Sequence, residues 1–147
     1  MIMPAWEIHD KWAAKMGISR KVSNAVNHLS DFPEESQEFR AFCEGEGGEI
    51  IVQLVQARDF SMIMKIPKYL QLVFLRRRKG SEYVTAWYLH YVLDYITMAP
   101  ALSIDAILLR TEGRFGSCEE LELLKEFLMA NEEALLQDCR NTAQGIT

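Results

Sequence analysis

The stretch TAWYLHYVLDY, residues 85–95, decides how this chain is read. Taken as a helix over 82–98, it places Val84, Trp87, Tyr88, Leu89, Tyr91, Val92, Leu93, Tyr95 and Ile96 around most of the circumference. A helix that is apolar nearly all round belongs at the centre of a fold. Its polar residues form one line: at 100° per residue His90, Asp94 and Thr97 fall within about 60° of one another. On a central helix such a line must meet polar groups, water or an ion. Otherwise it is the helix's only exposed edge.

Outward from this helix, turn signals cut the chain into further helices. Pro4 opens a first one that runs to Met16 and is capped by Gly17. Ser19 is the N-cap of a second, 20–31. Pro33 starts a third, PEESQEFRAFCEGE, which GEGG at 45–48 ends. Residues 49–58 suit strand by Ile50-Ile51-Val52 and helix by Ile51, Leu54 and Val55. Helix is preferred, since no second strand offers a partner. Pro67 opens a helix that stops at Gly80, Ser81 caps the central one, and Ser103 caps IDAILLRTEGRF, closed by Gly116. Ser117 and Glu120 form a capping box for a last helix to about Arg140. The tail 141–147 reads as frayed. The expectation is an all-α bundle of about seven helices with little or no sheet, in a single domain spanning 1–147.

The 147 residues are 49% hydrophobic and 25% charged, as in ordinary globular chains. A net charge of −5 argues against general affinity for phosphate backbones. It leaves a local basic patch, Arg76, Arg77, Arg78 and Lys79, with Tyr69 and Tyr83 near enough to stack on bases. That run also suits the negative end of a helix dipole. No apolar run approaches the ~20 residues that cross a bilayer. Three scattered cysteines and no signal peptide point to the cytoplasm. Phosphate-binding glycine loops and serine or cysteine nucleophile motifs are absent.

What remains is three histidines on three helices, each with an aspartate nearby. His9 lies mid-face among Trp6, Trp12, Ala13 and Met16 on the first helix. His28 borders the apolar face of the second, with Asp31 three residues on. His90 and Asp94 form the line on the central helix. Each can be a satisfied structural histidine. Together they suit zinc, manganese or iron, with His9, His28, His90 and Asp94 as ligands and Asp10 or Asp31 as the base. That reading is a metal-dependent hydrolase, acting on a phosphate ester, and it requires His9 and His90 to come within ligand reach. The alternative is a non-enzymatic helical interaction module that self-associates, with Leu121, Leu124, Leu128, Leu135 and Cys139 as one apolar face.

The His9-Asp10 pair resembles the dyad of the HD-domain phosphohydrolases, but no histidine precedes it and neither His28 nor His90 is followed by aspartate. EESQE at 34–38 with Glu46 and Glu49 resembles the carboxylate motifs of all-α nucleotide pyrophosphohydrolases, but GEGG interrupts the second motif. Neither pattern is met.

Overall fold

Local signals account for most helix boundaries in the computed structural model, which describes residues 6–58 and 66–143. Pro4 and the segment 59–65 lie outside them. Helix α1 (Trp6–Lys15) ends at Gly17, whose φ of +83° is the left-handed conformation a glycine cap supplies. Ser19 caps α2 (Arg20–Asp31), its hydroxyl accepting from the Val22 N–H at 3.3 Å. A short 3-10 turn, Pro33–Glu35, leads to α3 (Gln37–Phe42), capped by Ser36. Then follow α4 (Gly48–Gln56), α5 (Ile66–Arg78), α6 (Ser81–Met98), α7 (Ile104–Phe115), α8 (Glu119–Ala130) and α9 (Glu132–Ala143). No strand occurs among the described residues, so the fold is all-α and 49–58 is helical through Gln56.

Four expectations are corrected. GEGG does not end a helix. Cys43–Gly47 winds as a wider π turn straight into α4. A Cβ on Gly47 would lie 3.2 Å from the Phe42 carbonyl oxygen, and one on Gly48 3.3 Å from that of Cys43, so bare backbone lets this turn close. Ser81 is not a cap: Gly80, at φ +114°, holds that position, and the Ser81 hydroxyl donates to Glu120. This removes the capping box as well, since Glu120 is spent on Ser81 and Arg76 and α8 begins after Cys118. The last helix is two. Asn131 donates to the Phe127 carbonyl at 2.8 Å, satisfying an orphan acceptor where α8 stops and α9 turns away. Residues 141–143, expected to fray, complete α9; 144–147 lie outside the described residues.

Helix α6 is the centre. Eleven of its eighteen residues are buried, and it packs against α1, α2, α5, α7, α8 and α9. Leu121, Leu124, Leu128, Leu135 and Cys139 are all buried against the same core, while Leu123 points outward. The acidic segment and the basic run answer each other. Arg77 and Arg78 pair with Glu46, Lys79 with Glu38, and Arg76 with Glu120. The pairs of Arg77, Arg78 and Lys79 lie at the surface, where water screens them and they add little stability, whereas the Glu120 carboxylate is buried. No helix among the described residues is long and apolar enough to cross a membrane.

Candidate metal centre

Three polar lines meet where α1, α2 and α6 touch. On α2, Ser23, Asn27 and Asp31 recur every four residues and so share a face. They meet the His90–Asp94 line of α6 and His9 and Asp10 of α1.

Asp94 joins the two histidines: its Oδ1 lies 3.1 Å from His9 Nε2, and its Oδ2 3.2 Å from His90 Nε2. His90 Nε2 is also 3.2 Å from Asp31 Oδ1. Both imidazoles are 2% exposed and stack at 3.9 Å between centroids, 10° from parallel. Asp31 Oδ2 accepts from the Trp6 indole N–H at 2.6 Å. One ligand atom each from His9, His90 and Asp94 lie within 4.8 Å of one another.

The protons can be placed by elimination. The Asp10 carboxylate accepts from Ser23 Oγ at 2.5 Å and from Asn27 Nδ2 at 3.0 Å. A carboxylate only accepts, so the Asn27 amide must turn its nitrogen to Asp10 and its oxygen to His90. Asn27 Oδ1 is 2.9 Å from His90 Nδ1, which therefore carries the hydrogen and donates. In neutral His90 the Nε2 lone pair would then face two carboxylate oxygens. Only a proton on Nε2 or a cation beside it relieves that contact. Hydrogen bonding of one imidazole nitrogen to fix the tautomer of the other is the arrangement behind metal-ligating histidines.

His9 is the opposite case. Facing Asp94, its Nε2 is the donor, which leaves Nδ1 a lone pair. That atom is buried with no hydrogen-bond partner among the described residues. Burial lowers the His9 pKa below 6.5, against the raising effect of Asp94. Burial also opposes charge on His90, but Asp31 and Asp94 outweigh it and its pKa is raised. A proton taken up by the pair is therefore favoured on His90 over His9. The linkage signs differ. His90 contributes stability below 6.5 that is lost as pH rises through its folded pKa. His9 contributes stability above 6.5 that is lost as pH falls through its folded pKa. Histidine side-chain NMR is expected to show His90 titrating above 6.5 and His9 below it; a reversed order would overturn the assignment.

The expected site residues therefore divide. His9, His90 and Asp94 converge, and Asp31 joins them. Asp10 stands behind Asn27 and orients it. His28 is not brought to the cluster: it is exposed, one step round α2 from Asn27, edge-on to Trp6 at 4.6 Å. Sequence reasoning missed Asn27 and Ser23. The signal was their spacing of four ahead of Asp31, a polar line on α2 matching the one on α6.

Asp31 and Asp94 open onto a cleft of about 520 Å³. Lys68 of α5 stands on its wall, its pKa lowered by burial against the pull of Asp94 and Asp31. No family model matches the chain, and neither the curated proteins nor the solved structures compared with it yield a match.

Proposed function

We propose that the chain is a metal-dependent hydrolase whose divalent ion, zinc, manganese or iron, is held by His9, His90 and Asp94, with Asp31 at the mouth as a fourth donor or as the base. One observation carries this reading. With Nδ1 committed to Asn27, His90 Nε2 is aimed at the oxygens of two aspartates, where a proton or a metal cation must sit. Imidazole and carboxylate are the donors these ions take, and such an ion polarises a substrate and makes water a nucleophile near neutral pH. Asp31 is the more exposed carboxylate and faces the cleft, which suits a group that takes a proton from water.

The stacked rings set a condition. Lone pairs lie in the ring planes, so two parallel imidazoles cannot both direct theirs at one ion between them. Loading must turn one ring. Among the described residues His90 is held at both nitrogens and His9 at Nε2 alone, so His9 would be the ring to turn. The buried, unpaired Nδ1 favours such a move.

The test is metal analysis of protein purified without chelator, with melting followed as Zn²⁺ or Mn²⁺ is added. Expected are about one equivalent of ion and stabilisation of about 3 kcal/mol at a hundredfold excess over Kd. No retained ion and an unchanged melt would leave the cluster as a hydrogen-bonded imidazolium centre. That outcome would favour a second reading, a helical interaction module. Its support is Val52 and Val55, one turn apart on α4 and more than half exposed.

A further inference from the structure

We infer that the cleft beside the His9–His90–Asp94 cluster is a substrate subsite for a small aromatic phosphate monoester; this deepens the hydrolase reading and rests on it. The cleft, about 520 Å³, is within the size range of small-molecule sites. Its lining combines three chemistries. The carboxylates of Asp31 and Asp94 are already engaged by His90, His9 and Trp6. Two cations line it as well, Lys68 from α5 and Arg114 from α7. The aromatic and apolar part comes from Tyr91, Tyr95 and Met98 of α6.

The cations suit an anion rather than a neutral ligand. Among the described residues Lys68 makes one long bond, 3.4 Å, to the Ser30 carbonyl, and an ammonium has three donors to give. It lines the cleft and is close enough to Asp94 and Asp31 to feel both charges, which puts a cation beside the cluster for a phosphoryl group. Arg114 donates to the Tyr91 hydroxyl at 2.8 Å, and Arg110 to that of Tyr95 at 3.4 Å. These bonds hold both phenol rings on the cleft wall. Tyr91 is further backed by Trp87, stacked at 5.5 Å. An aromatic wall in the same cleft as two cations fits a planar group carrying a phosphate.

The probe is p-nitrophenyl phosphate, titrated by NMR or calorimetry into the full chain, once with EDTA and once with Mn²⁺. Binding is expected under both conditions, with hydrolysis only in Mn²⁺. Lys68→Gln is expected to weaken binding tenfold or more. Met98→Glu, at a surface position where folding is tolerant, is expected to do the same by repelling the anion. p-Nitrophenol alone is expected to bind at least tenfold more weakly. Binding with EDTA that depends on Lys68 and Met98, without any metal response, would uphold the subsite and remove the hydrolase reading. Metal uptake with no probe binding, or binding indifferent to both substitutions in variants whose melts match the parent, would overturn the subsite and leave the metal centre standing.

Discussion

Asp94→Asn is expected to lower affinity for the proposed ion at least a hundredfold and to flatten the acid limb of the stability curve. Among the described residues Asp94 is the one carboxylate within ligand reach of both histidines, so none of them replaces it without rearrangement. Loss of a direct ligand exceeds the 10- to 100-fold typical of an outer partner. The stability effect follows from the pKa. Burial pushes against the charge, yet hydrogen bonds from His9 and His90 hold Asp94 down to about 2, from 3.8. A carboxylate depressed in the folded state contributes stability above its unfolded pKa and loses it as pH falls through the folded value. The contribution is roughly 2 kcal/mol, present at neutral pH and lost between about pH 4 and 2. Urea unfolding of both proteins at pH 7 and pH 2 measures it. Equal losses on acidification in parent and variant would sink the claim. Since asparagine cannot hold an imidazolium as a carboxylate does, His90 should also titrate lower in the variant.

The second large effect is on the fold. Trp87→Ala should destabilise by about 4 kcal/mol, in the range for aromatic truncation in a core. Trp87 is 1% exposed and packs against Tyr88, Tyr91 and Phe115. Its indole N–H donates to Gln71 at 3.0 Å, and Gln71 is itself buried, so truncation leaves a cavity and a stranded amide. Trp87→Phe keeps much of the volume and should lose about half as much. A shift in the urea midpoint equivalent to less than 1 kcal/mol for the alanine variant would show that α6 is not the centre described.

Both expectations trace to α6, and its place was legible. An apolar circumference interrupted by His90, Asp94 and Thr97 requires a central helix whose polar line is either a contact or its one exposed edge. The caps Ser19, Gly17, Ser103 and Gly116 were also legible, because capping is settled within four residues of the helix end. Signals of the same local kind failed at Ser81 and Ser117–Glu120. There a long-range partner competed, as Arg76 and Ser81 together claimed the Glu120 carboxylate that a capping box would have turned inward. GEGG failed for a related reason, since two glycines that break a regular helix also permit a wider one.

By itself the sequence determined most of the helices, the centrality of α6, and that His9 lies on an apolar face, while the His90–Asp94 line could still have been an exposed edge. Helical periodicity is a local property, and burial of an apolar face follows from it. Only the tertiary structure decided which polar lines touch. It chose Asn27 over its neighbour His28, because a 100° step round α2 separates a side chain facing α6 from one facing solvent. It joined Asp31 to His90 across 59 positions of chain, set Asp10 behind Asn27, and placed Lys68 of α5 beside them. Distances of about 3 Å between residues far apart in sequence depend on how helices cross, and no single helix encodes its neighbour's rotation.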